Sequence, residues 1–184
     1  LEVPLVTGRV TRLVVDLNRS IGHPHLHSAY VAALGAEERR RLVERYYLPY
    51  RQAVEAACAA RMARGTRVLH LAVHSFTPVL RGHHRNASLG LLYDPKRPAE
   101  RRLAVRWQSI LQELSPDLQV RRNYPYRGTD DGLIPFLRKR FPVGRYLGLE
   151  LEVNQRHLRS PSGIRQMARL VGESLRILQS ESAQ

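Results

Sequence analysis

Short apolar or β-branched segments alternate along this chain with stretches of helical periodicity. That alternation restricts the fold more than any other feature of the sequence. Five segments read as strands: Arg12 to Asn18, Val68 to His74, Ser88 to Tyr93, Leu118 to Asn123 and Tyr146 to Val153. Most of them end in polar residues that a sheet edge could present to a ligand. Between them, the longest helical pattern runs from Ala36 to Arg64, with Gly65 where a C-cap belongs and Pro49 where a kink or split is expected. A second helix is opened by Pro98 and runs to Leu114, a short third follows Asp131, and a fourth runs from Ser162 to Leu178. The pattern predicts an α/β layered domain, a mixed and mostly parallel sheet flanked by helices. No repeat, linker or boundary interrupts it, so residues 1–184 are expected to form a single domain.

A chain of 184 residues with 43% hydrophobic content can bury most of its apolar surface. No apolar run reaches the roughly 20 residues that span a bilayer, and the first residues lack the pattern of a secretory signal, so no membrane partner is expected. The lone Cys58 excludes an intramolecular disulfide and a cysteine-based zinc cluster; it reads as a small buried apolar side chain, which suits a reducing cytoplasm. The net charge of +14 would suit a polyanion, but arginine supplies nearly all of it. Lys96 and Lys139 are the only lysines, the arginines spread from Arg9 to Arg176, and no recognition motif accompanies them, so nucleic acid is not the expected partner.

Three segments carry residues suited to chemistry. In VLHLAVHSFTP, alternation puts His70, Ala72 and His74 on one strand face, with His74 near the carboxyl end where open α/β sheets bind ligands. A neutral imidazole there can ligate zinc; a structural histidine is the plainer alternative. In GLELEVNQ, Glu150 and Glu152 share one face of a strand whose other face is apolar. Two buried like charges need compensation from arginine or a metal, whereas a solvated acidic face would need none. In RLVVDLNRS, Asn18 and Arg19 offer a planar fork and a directional amide for a carboxylate, unless Asp16 simply pairs with the arginines around it.

Taken in order, TRLVVDLNRS, YYLPYR, VLHLAVHSFTP, SLGLLYDP, RRNYPYRGTDDG and YLGLELEVNQ resemble the successive signature blocks of the N-formylglutamate amidohydrolase family, over about Val6 to His157. That family is similar to zinc carboxypeptidases and aspartoacylases, so the resemblance implies a zinc-exopeptidase type of fold. It further implies that His74 is a zinc ligand, that Glu150 is the general base, with Glu152 the alternative, and that Asn18 and Arg19 hold a substrate carboxylate. Arg12 is matched to an aid for the carbonyl oxygen, and Asn123, Tyr126 and Arg127 to the pocket lining. Relatives supply their first zinc ligands, a histidine and an acid, upstream of the DLNRS block. This sequence begins too late to include them, so the N-terminal portion with the remaining ligands is expected to be missing, or the chain to be a degenerate member that holds no metal. His23, His25 and His27 read as a solvent-facing loop rather than substitutes.

The implied activity is zinc-dependent hydrolysis of N-formyl-L-glutamate to formate and glutamate in histidine degradation, in the cytoplasm, with a small acidic N-acyl amino acid as the substrate. The rival readings are a related zinc amidohydrolase acting on another N-acyl amino acid, small peptide or cell-wall fragment, and a non-catalytic module that binds an acidic ligand.

Overall fold

The computed structural model describes residues 3–181. The chain divides into two compact units, one made of the chain up to Val68 with Asp131–Tyr146, the other of Leu69–Asp130 with the chain from Leu147 onward.

The first unit is helical. A short helix α1, Ala29–Ala32, is capped by the Ser28 hydroxyl, and α2, Ala36–Leu42, runs into a π-helical turn, Val43–Tyr47, and then α3, Leu48–Ala63. The wide turn answers Pro49. Proline has no N–H to donate to the carbonyl four residues back, and its ring crowds that carbonyl. The chain resolves the conflict by inserting a π turn, in which Leu48 N–H reaches back five residues to Val43 O. The expected split is therefore a local widening in one continuous rod. Helix α5, Leu133–Arg140, completes the unit, its Leu133 and Leu137 packing with Val54, Cys58 and Tyr146. Cys58 is buried, and burial first, with Glu55 second, pushes its thiol above the usual range.

One expected strand is absent. Residues 12–18 form turns and coil, because the backbone bonds locally: Val14 N–H returns to Thr11 O (2.9 Å), Asp16 N–H goes to Leu26 O (2.8 Å), and Asp16 Oδ1 takes Asn18 N–H (3.1 Å). Such side-chain and turn bonds compete with a sheet ladder. The apolar residues there are buried all the same, Val15 beside Leu26 and Tyr47.

The second unit holds a four-stranded sheet in the order β1-β6-β4-β5, made of β1 Val68–Phe76, β4 Leu89–Leu92, β5 Val120–Arg122 and β6 Tyr146–Asn154. A two-stranded hairpin, β2 Val79–Leu80 with β3 His83–His84, follows β1. The sheet is mixed: β4 runs parallel to β5 and antiparallel to β6, with Gly90 opposite Glu152 and Leu92 opposite Glu150. Helices α4, Pro98–Leu114, and α6, Pro161–Glu181, cover one face. Leu149, Leu151 and Val153 of β6 pack there with Trp107, Ile110, Leu111 and Met167. Each such side chain contributes about 1.5–3 kcal/mol by leaving water. By strand alternation Glu150, Glu152 and Asn154 are consigned to the opposite face. The fully buried Glu100 of α4 ties helix to sheet, accepting N–H groups from Asp94 and Gly148 (both 3.1 Å) and the Arg97 guanidinium.

No described helix is long and apolar enough to cross a membrane.

Candidate active site

The sheet unit brings His74 and Glu150 together. His74 Nε2 stands 3.7 Å from Glu150 Oε2, the imidazole one-third exposed and the carboxylate 9% exposed. Glu152 is equally buried on the same face. Both carboxylates are thus held in a poorly solvated setting, where charges interact more strongly than in bulk water.

The segment from Asn123 to Gly128 covers part of this face. Gly90 permits it: a Cβ there would lie 1.9 Å from Tyr124 O and 3.3 Å from Glu152 Cβ, so the Tyr124 backbone crosses β4 directly beside the second acid. Gly128 makes the same allowance against the Tyr93 backbone. Between them Asn123 adopts a left-handed conformation, φ 48°, one that asparagine tolerates. Its Oδ1 accepts the N–H groups of Tyr93 (3.1 Å) and Gly128 (3.0 Å), so Asn123 organises the loop. Tyr126 is exposed, its hydroxyl accepting a bond from Arg85 Nη1 (3.1 Å), while Arg127 is exposed and anchored through its backbone N–H to Asp130 (2.9 Å).

Asn18, Arg19 and Arg12 belong to the helical unit. Asn18 Oδ1 accepts Leu133 N–H (2.8 Å) at the start of α5, and Arg19 Nη1 donates to Asp131 O (3.0 Å). The backbone carbonyl of Arg19 takes Tyr47 Oη (2.8 Å) and Arg51 Nη1 (3.1 Å). Exposed Arg12 pairs with Asp16 (3.0 Å), so pairing between Asp16 and its neighbouring arginines does occur. Asp131, which the sequence did not single out, holds the turn: it accepts both the hydroxyl and the N–H of Ser20. Burial pushes its carboxyl upward, but the Ser20 bonds, with His23 and Arg19, outweigh that and leave it below the ordinary value. In the same unit the HPHLH turn bonds to itself, His25 N–H to His23 Nδ1, and His27 Nδ1 meets Val14 O.

A family model for N-formylglutamate amidohydrolase matches residues 1–158. The chain belongs to the N-formylglutamate amidohydrolase family. Its fold is similar to the crystal structure of the gene product Atu2144 from Agrobacterium tumefaciens, with a TM-score of 0.79 and 27% identity over 96% of this chain and 70% of that one. No curated protein matches.

For a member of the N-formylglutamate amidohydrolase family, the donor set can be compared with the needs of a metal. A catalytic zinc ion normally takes three protein ligands. Among the described residues no three histidine, cysteine or acidic side chains gather closely enough to hold one. The described residues therefore do not by themselves fit a catalytic zinc ion; what they bring together is a buried carboxylate beside an imidazole. Sequence reading passed over Gly90, Asp131 and Arg85; only the TDDG run and the glycine inside a strand pattern were signals that could have drawn notice.

Proposed function

We propose that this protein hydrolyses the amide bond of an N-formyl amino acid, N-formyl-L-glutamate foremost, to formate and L-glutamate. The observation that carries the reading is the buried carboxylate of Glu150 beside His74, in a chain of this family. Water adds to the formyl carbon as Glu150 takes its proton; the C–N bond then breaks and the same proton passes to the departing amine nitrogen. Family resemblance supports Asn18 and Arg19 as holders of a substrate carboxylate, Arg12 as an aid to the carbonyl oxygen, and Asn123, Tyr126 and Arg127 as pocket residues. The same resemblance supports a zinc-exopeptidase type of fold, His74 as one zinc ligand, and a place in histidine degradation in the cytoplasm.

An assay of amine released from N-formyl, N-acetyl and short peptide substrates ranks the acyl groups. Glu150→Gln should lower turnover by roughly 10²–10⁴-fold, and metal analysis of the purified wild type and of His74→Ala tests the proposed role of His74 as a zinc ligand. Normal turnover in Glu150→Gln overturns the assignment of the base.

A further inference from the structure

N-Formylglutamate carries two carboxylates, and the face that bears Glu150 and Glu152 already holds two buried acids. Like charges brought together on that face repel unless a cation answers each one. The family resemblance assigns one substrate carboxylate to Asn18 and Arg19 and leaves the other without a holder. The sheet unit contains a cation suited to the other.

Arg85 follows the β2–β3 hairpin and is fixed at both ends of its peptide unit. Its N–H donates to Pro78 O (2.8 Å), and its carbonyl accepts the Asn154 side-chain amide (3.0 Å). Asn154 is itself fully buried and shares the β6 face of Glu150 and Glu152, so Arg85 is rooted on that side of the sheet. The guanidinium lies 5.2 Å from the Tyr126 ring centroid and donates to its hydroxyl (3.1 Å). Arg85 has no carboxylate partner among the described residues, and it is only half-buried. A guanidinium has five N–H donors, and a phenol that accepts one bond still has its own hydrogen to donate. Stacking removes much of the freedom of the long side chain, which leaves a planar fork and a neighbouring O–H poised for a carboxylate.

Two other arginines near this face are placed differently. Arg156 bonds to Asn86 O, Ser88 Oγ and His157 Nε2. Arg121 lies beside Gly90 in the sheet register and stacks on the Tyr124 ring at 5.1 Å, but it is exposed, and no hydroxyl bond fixes it as Tyr126 fixes Arg85.

We infer that Arg85 and Tyr126 bind the side-chain carboxylate of the substrate and so select diacids over their neutral amides. This rests on the proposed deformylase reading. The test compares kcat/KM for N-formyl-L-glutamate and N-formyl-L-glutamine in the full chain and in the Arg85→Met and Tyr126→Phe variants. Arg85→Met should lower the preference for the diacid by roughly 10- to 100-fold, and Tyr126→Phe, which keeps the stacked ring, by a few-fold. Equal losses on both substrates, or an unchanged ratio, overturn the inference. A wild-type protein that deformylates neither substrate defeats the deformylase reading instead. In that event calorimetric binding of L-glutamate and L-glutamine decides: a preference for glutamate that Arg85→Met abolishes upholds the carboxylate site, and no preference in the wild type refutes it.

Discussion

Replacing Gly90 by alanine tests how the loop over the acidic face is held. The added methyl would sit 1.9 Å from Tyr124 O, a backbone atom, with Glu152 Cβ at 3.3 Å on its other side. Ordinary contact, at 3.4 Å or more, requires the loop to lift by about 1.5 Å, and overpacking of this kind costs about 1–3 kcal/mol. The loop cannot lift freely, since both bonds accepted by Asn123 Oδ1 tie it to Tyr93 and Gly128. Losing them adds about 1 kcal/mol each, for a total of about 3–5 kcal/mol. Against the about 5–15 kcal/mol typical of a domain, that is a large share. The single tryptophan, Trp107, is fully buried in the core of the same unit, so its fluorescence during urea unfolding reports the change. Gly144→Ala is the control, because nothing lies within 4 Å of a Cβ at that site. A Gly90→Ala protein whose stability falls by less than about 1 kcal/mol would refute the close crossing of Tyr124 over β4.

Asp131→Asn should destabilise the protein at neutral pH. The folded carboxyl sits below its ordinary value, so its contribution is fully present above the unfolded pKa and is lost as pH falls through the folded one. Urea melts of wild type and variant should therefore converge in acid, below about pH 4; a difference constant with pH would contradict the Ser20 bonding. Ser174→Ala removes the acceptor of the buried Trp107 Nε1–H (2.8 Å) and should cost about 1–3 kcal/mol by thermal or urea unfolding. Adding Trp107→Phe to it should cost less than the two single changes together, since the orphaned donor is then gone; simple additivity would argue against the bond.

Much of the sheet unit was legible in the sequence. GLELEVN alternates cleanly because one face of β6 meets α4 and α6 while the other faces the site, so the two acids announce their side. Helix α4 begins at Pro98 and ends at Leu114 as its pattern predicts, since proline suits a first turn and the apolar stripe is long. Arg12 to Asn18 misleads because burial of Val15 by Leu26 and Tyr47 leaves the same apolar trace as a strand, while Asp16 quietly takes the local N–H. The β2–β3 hairpin is too short to show periodicity, although Gly82 at φ 79° marks its turn. In the site, His74 and Glu150 could be paired on motif order, but the tasks of Asn123 and Arg85 could not. Both depend on which backbone passes overhead, a fact set by the contact between Gly90 and Tyr124 rather than by any nearby residue pattern.

The π turn ahead of Pro49 takes up one residue more than an α-helical turn would hold. If all of its residues instead wound as ordinary α-helix, everything after the segment would be rotated by about 100°. The buried Arg51 would then swing off the Tyr47 and Phe136 rings and off the carbonyls of Leu17 and Arg19. A lineage that sheds one residue between Val43 and Leu48 should therefore keep Arg51 in place, the segment closing into plain α-helix.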